Sequence, residues 1–248
     1  MLAVWIAETR TQAHELLRSA VLSEGERARS SAMKRRELSE QVIVAHALKR
    51  LCLAERLGEA DPRSLFFTTL ARGKPKLAGA PIDFNLSHCA NACALVISAH
   101  GACGVDVEPR RALTALPALL ERSMSPAEQR AIARCADAYQ AFIDRWVLKE
   151  AYSKMTGRGL GEHFERICTE SEMRWLAPDA GLLRDAFIWR RDLGSHVVAV
   201  CSRRRPSEGA GPAVAQVSDA RFPGLTARRY EFSGFPHSAC TSVLEQMT

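Results

Sequence analysis

Two long helical stretches, each stopped by a glycine and each flanked by short apolar β runs, constrain this chain more than anything else in it. The first, Glu37 to Leu57, sets Leu38, Val42, Ala45, Leu48 and Cys52 on one face and ends at Gly58. The second runs from about Ala138 to Met155 and stops at Gly157. Residues 11–21 read as a shorter helix. Ser23-x-x-Glu26 is a capping box with helical pattern behind it, and Ser125-Pro-Ala-Glu128 joins an N-cap, a proline at N1 and a glutamate at N3. Leu2–Ala7, Ser64–Leu70, Ile82–Leu86, Ala92–Ala99 and Cys103–Glu108 read as strands, as do Phe164–Cys168, Ala186–Arg191 and His196–Ser202. Helices and strands therefore fall into two halves with a seam near residue 103, an α+β chain without a visible sequence repeat. Residues 206–218 are rich in Pro, Gly, Ser and Ala and read as a linker into a poorly structured tail, whose Phe222, Tyr230, Phe232 and Phe235 offer rings for docking.

Composition removes several classes. With 47% hydrophobic residues over 248 positions, the chain has enough apolar surface for one large domain or two small ones and is not a disordered protein. No run approaches the ~20 apolar residues of a membrane span, and the apolar start reads as a strand, with no basic residue ahead of it as a signal peptide would have. The formal charge of +6 favours anionic partners. The 8 cysteines are scattered, with neither C-x-x-C nor His-x(3–5)-His spacing, so free thiols in a reducing cytoplasm are expected rather than disulfides or zinc.

Five short patterns can carry chemistry. In Gly104-Val-Asp-Val-Glu108, strand alternation sends Asp106 and Glu108 to one face and Val105 and Val107 to the core. Adjacent carboxylates repel unless a cation lies between them, and oxygen ligands suit Mg²⁺ shared with substrate phosphates; the bland alternative is a strand end facing water. In Trp146-Val-Leu-Lys-Glu-Ala-Tyr-Ser-Lys154, helical spacing puts Trp146, Glu150 and Lys154 on one face, where a Glu–Lys surface pair is the bland reading. Phe84-Asn-Leu-Ser-His88 ends a strand with a hydroxyl and an imidazole that can hold an anion, or with a structural histidine. Arg72-Gly-Lys-Pro75 is a basic turn. Arg27, Arg29, Lys34, Arg35, Arg36, Lys49 and Arg50 form a basic run, which on its own describes a solvated helix face.

Their order carries more than any one of them. Glu26-x-x-Arg29, Gly73-Lys-Pro75, Asn85-Leu-Ser-His88, Gly104-Val-Asp-x-Glu108 and Trp146-x-x-Lys-Glu-Ala-x-x-Lys154 together resemble the 4′-phosphopantetheinyl transferases of the Sfp type, over about residues 22–202. The resemblance implies transfer of the phosphopantetheine arm of coenzyme A, with Mg²⁺, to a serine of an apo acyl, polyketide or peptidyl carrier protein, leaving adenosine 3′,5′-bisphosphate. It implies a pseudo-dimer of two similar α/β halves, 1–103 and 104–205, with the active site in the cleft between them, and a monomeric state; the tail at 206–248 has no counterpart in the shared pattern, and the cytoplasmic expectation comes from the free thiols. Asp106, Glu108 and Glu150 are implied as Mg²⁺ ligands. Glu150 is also implied as the base that deprotonates the carrier serine, directly or through a metal-bound water, and Lys154 as the cation at the phosphate under attack. Coenzyme A contacts are implied at Arg29, Gly73, Lys74, Asn85, Ser87, His88, Asp106 and Lys154, with Arg29 and His88 at the 3′-phosphate. The chain departs from the family where His46 replaces an arginine of many relatives, and where Glu26 replaces a second basic residue. The carrier should be acidic, which suits the positive balance; no nucleic acid or membrane partner is expected. A basic module that holds nucleotides or nucleic acid without chemistry is the rival reading, and it leaves the three acids unexplained.

Overall fold

A computed structural model describes residues 2–9, 13–18, 21–70, 73–99, 101–111, 115–157, 164–167, 169, 187–203, 214–222 and 225–232. The first half runs β1 (Leu2–Glu8), α1 (Ala13–Arg18), α2 (Glu24–Ser31), α3 (Arg36–Leu57), β2 (Phe67–Thr69), β3 (Pro75–Leu77), β4 (Asp83–Cys89) and β5 (Ala92–Ser98). The second runs β6 (Cys103–Pro109), α4 (Leu116–Ser123), α5 (Pro126–Ala133), α6 (Ala138–Thr156), β7 (Phe187–Asp192) and β8 (His196–Ser202). A hairpin of β9 (Val214–Phe222) and β10 (Leu225–Phe232) follows.

Side-chain alternation along the strands decides the layers. The larger sheet has the order β4-β5-β1-β10-β9 and the smaller β6-β8-β7, both antiparallel, while β2 and β3 pair as a separate ribbon. Ala3, Trp5 and Ala7 of β1 face the helix side with Leu48 and Leu53 of α3, whereas Leu2 and Val4 face the other sheet. On β8, Val197, Ala199 and Cys201 pack with α6, while Val198 and Val200 turn toward the larger sheet. The two sheets thus lie back to back with a helix layer outside each, an α+β architecture in four layers.

The halves repeat one device that the sequence conceals. In each, a short helix opens on a Ser/Glu capping box, Ser23/Glu26 for α2 and Ser125/Glu128 for α5. In each, that glutamate forms a buried ion pair with a lysine of the following long helix, Glu26 with Lys49 at 2.8 Å and Glu128 with Lys149 at 2.6 Å. Both long helices end on a glycine in the left-handed region, Gly58 at φ 68° and Gly157 at φ 69°, where a side chain would be strained. The next residue after each paired lysine differs: Arg50 in the first half, Glu150 in the second. The frame is duplicated and the chemistry is not.

Several sequence expectations change. The stretch read as a linker and poorly structured tail contains β9 and β10, and β10 pairs with β1 in register Val4↔Tyr230. Tyr230 and Phe232 pack against Trp189 of β7, and Phe232 also against Phe187, so aromatic burial outweighs the local Pro/Gly bias upstream. Phe235 lies outside the described residues. Phe164–Arg166 is a 3₁₀ turn rather than a strand, because Lys149 holds the Phe164 carbonyl at 2.9 Å. Pro62–Ser64 is also a 3₁₀ turn, which leaves only Phe67–Thr69 of the longer run as strand. Leu38 is 41% exposed, since burial on α3 concentrates further along, from Gln41 to Ala54. The six described cysteines are free, and among the described residues no helix is long and apolar enough to cross a membrane.

Candidate active site

Close contact between β6 and α6 creates the site, and Gly104 permits it. A Cβ there would lie 2.1 Å from the Ala151 carbonyl oxygen and 2.4 Å from the Met155 nitrogen. Gly104, Asp106 and Glu108 alternate onto this helix-facing side, so Asp106 meets Glu150 and Lys154, which stand one turn apart on α6. Asp106 Oδ1 accepts from Lys154 Nζ at 2.6 Å and from Ser87 Oγ of β4 at 2.8 Å. Lys154 also donates to Ser87 Oγ at 2.9 Å. The bland alternative of an i,i+4 Glu150–Lys154 surface pair gives way to these contacts, in which Ser87 joins from the first half. Asp106 Oδ2 is buried and has no hydrogen-bond partner among the described residues. A buried carboxylate oxygen without a partner is costly.

The neighbouring acids show the same electrostatic need. Burial and the charge of Asp106 push Glu108 up to about 7, although the Trp146 indole N–H bonds its Oε1 at 3.1 Å. Burial, then Asp106, push Glu150 to about 7 as well, against the opposing pull of Lys154. Three mutually repelling carboxylates around an unsatisfied oxygen fit a divalent cation. Among the described residues, no three His, Cys, Asp or Glu side chains are gathered closely enough to hold a metal by themselves. Mg²⁺ in general takes one or two carboxylates and completes its shell with water and substrate phosphates, so the three acids as they stand here are not a closed ligand set.

The other expected contacts divide. His88 is exposed at the end of β4, and its pKa is lowered by desolvation and by the charges of Lys154 and His46. Arg29 is exposed on α2, near enough to Lys49 to repel it. Gly73 turns the β2–β3 ribbon at φ 89°. Lys74 and Asn85 make bonds within the protein. Lys74 donates to Asp83 at 2.6 Å and to the Cys103 carbonyl at 3.0 Å, and the Asn85 side-chain oxygen accepts from the Val105 N–H at 3.0 Å. Both tie β6 to the first half.

Glu26 explains its own departure from the family pattern. It receives Lys49, Arg50 at 2.5 Å and His46 at 2.9 Å, and these partners hold it well below the usual carboxylate range although burial opposes ionisation. Arg50 also donates to the carbonyls of Pro62 and Leu65, and Arg27 to those of Leu22 and Leu17, so both serve the fold. Sequence reasoning missed the Glu128–Lys149 pair, for which the second capping box was the available signal, and the partner of the Trp146 N–H. A groove of 1190 Å³ lies elsewhere, lined by Asn91, His196, Arg228 and Tyr230 among others, and Asp106, Glu108 and Glu150 are not part of it.

Comparison with known proteins bears on the family. Residues 102–201, which hold β6, α6 and β8, match the family model of the 4′-phosphopantetheinyl transferase superfamily. The 4′-phosphopantetheinyl transferase HetI of Nostoc sp. is 30% identical over 162 residues, which are 62% of this chain and 68% of that protein. The Synechocystis sp. protein slr0495 is 26% identical over 178 residues, 69% of this chain and 71% of its own. The Thermotoga maritima holo-[acyl-carrier-protein] synthase structure is 20% identical with a TM-score of 0.35, covering 58% of this chain and 90% of that one. The acids beside Lys154 all lie inside the matched segment, and the chain belongs to the 4′-phosphopantetheinyl transferase superfamily.

Proposed function

We propose that this enzyme takes the phosphopantetheine arm from coenzyme A, with Mg²⁺, and attaches it to the serine of an acidic apo carrier protein, releasing adenosine 3′,5′-bisphosphate. The observation that carries the reading is the buried, unpartnered Asp106 Oδ2 beside two carboxylates whose charge is suppressed. Asp106, Glu108 and Glu150 would hold the divalent ion, which when bound neutralises charge on the pyrophosphate of coenzyme A. Lys154, fixed by Asp106 and Ser87, presents a cation to the phosphoryl group under attack and to its leaving group. Glu150 has an affinity for protons near neutrality, which suits a base that must take a proton and later release it. The serine oxygen bonds to phosphorus, the bond to the nucleotide phosphate breaks, and the serine proton passes to Glu150. Arg29 supplies a positive group for the 3′-phosphate, and His88 a ring N–H donor. Both halves, 1–103 and 104–205, line the cleft, so one chain suffices and the enzyme acts as a monomer. Free thiols fit a cytoplasmic setting.

The test is the mass of several apo carriers (acyl, polyketide and peptidyl) after incubation with this protein, coenzyme A and Mg²⁺. The expected result is a gain of one phosphopantetheine on at least one of them, lost on chelation of the metal. No gain on any carrier refutes the reading.

A further inference from the structure

Trp146 has no part in the transfer just described, yet it touches one of the three acids. Its Nε1–H donates to Glu108 Oε1 at 3.1 Å, a bond from α6 across to β6. The indole is fixed on two sides. It stacks on Phe142 with centroids 5.8 Å apart and planes 23° apart, and meets Phe164 at 5.5 Å and 38°. Phe164 is held in turn through its backbone. Lys149 donates to the Phe164 carbonyl at 2.9 Å, to the Ser123 carbonyl at 2.7 Å and to Glu128 at 2.6 Å, with both ionic side chains 0% exposed. The other oxygen of Glu128 accepts from the Thr169 N–H at 2.9 Å and hydroxyl at 2.7 Å. A run of fixed contacts thus leads from a buried ion pair to the Glu108 carboxylate.

Glu108 needs such an anchor. A glutamate loses rotamer freedom worth up to about 2 kcal/mol when held in one pose, and the neighbouring Asp106 charge repels it. The indole is a donor only and carries no charge. It can therefore hold Oε1 without competing, as a lysine would, for the role of the cation. We infer that Trp146 is a positioning residue for the divalent-ion site, aiming the Glu108 carboxylate by its ring N–H. The inference rests on the metal reading given above.

Mg²⁺ binding measured by calorimetry with coenzyme A present and no carrier, so that nothing turns over, tests it. Trp146→Phe keeps an aromatic ring between Phe142 and Phe164 and removes only the donor. It should weaken Mg²⁺ binding about 10-fold or more, the usual effect of losing a group that orients a ligand, with thermal unfolding little changed. In a Glu108→Ala background, where the indole has no acceptor at this position, the same change should cost less than about 2-fold, because the two act through one bond. An equal loss in both backgrounds, or no loss in the native one, overturns the inference while leaving the metal reading intact. Absence of Mg²⁺ binding by the unaltered enzyme overturns both.

Discussion

Gly104→Ala is the sharpest test of how the site is assembled. Gly104 is not held in the left-handed region, so the substitution imposes no backbone strain; its whole effect is steric. The added methyl would stand 2.1 Å from the Ala151 oxygen and 2.4 Å from the Met155 nitrogen, both helix backbone. Ordinary contact begins at about 3.4 Å, so α6 must retreat from β6 by roughly 1 Å, because helix backbone cannot swing aside. Overpacking costs about 1–3 kcal/mol, or about 2–12 °C in Tm at about 2–4 °C per kcal/mol for a chain of this size. Activity should suffer more than stability. The retreat carries Glu150 and Lys154 away from Asp106, and a 1 Å displacement can cost about 10²-fold in rate. The assay pairs kcat/KM for carrier modification with a melting curve. Gly25→Ala is the control, since nothing lies within 4 Å of its Cβ and alanine favours helix α2. A Gly104→Ala enzyme within about 3-fold of normal activity would refute a 1 Å tolerance at this contact.

Other expectations follow from the same contacts. Asp106→Ala and Glu150→Ala should each lower carrier modification at least 10²–10³-fold, roughly the scale of losing one electrostatic group, with circular dichroism unchanged; near-normal rates in either contradict the assignment. Glu108 and Glu150 both titrate at about 7 and must be ionised to hold a cation. Calorimetric Mg²⁺ affinity should therefore rise from about pH 6 to about pH 8, and a flat profile contradicts this. Lys149→Met leaves Glu128 buried and unpaired and should cost about 3–5 kcal/mol in denaturant unfolding, whereas a loss under about 1 kcal/mol would show a dispensable pair. Glu128 is depressed in the fold: burial opposes its charge, but Lys149, Thr169 and Ser125 outweigh it. Its contribution is present above the unfolded carboxylate value of about 4.5 and is lost as pH falls through the folded value. In Lys149→Met that acid sensitivity should shrink or reverse.

What could be read from the residues was what depends on near neighbours. Both capping boxes and both terminal glycines lie where their local signals put them. Strand alternation alone separates Asp106 and Glu108 from the buried Val105 and Val107, and helical spacing alone puts Trp146, Glu150 and Lys154 on one face. What could not be read depends on distant partners. Nothing near Lys154 reveals that it bonds Asp106 and Ser87 rather than Glu150. The β10 strand pairs with β1 at the opposite end of the chain, so its composition resembles a tail. Nothing near Lys74 in the sequence reveals its bonds to Asp83 and to the Cys103 carbonyl. The duplication of the halves shows in the two capping boxes and terminal glycines, but the pairs that join them, Glu26–Lys49 and Glu128–Lys149, become visible only once chain segments meet.

The claim on which the chemistry depends is that Asp106 Oδ2 is a metal ligand. Crystals grown with coenzyme A and Mn²⁺ in place of Mg²⁺ would test it through anomalous scattering. The expected map has a peak within about 2.3 Å of Asp106 Oδ2, close to the range for a small hard cation on oxygen, on the side facing Glu108 and Glu150. A peak elsewhere with this oxygen unbonded, or coenzyme A bound with no peak at all, would contradict it.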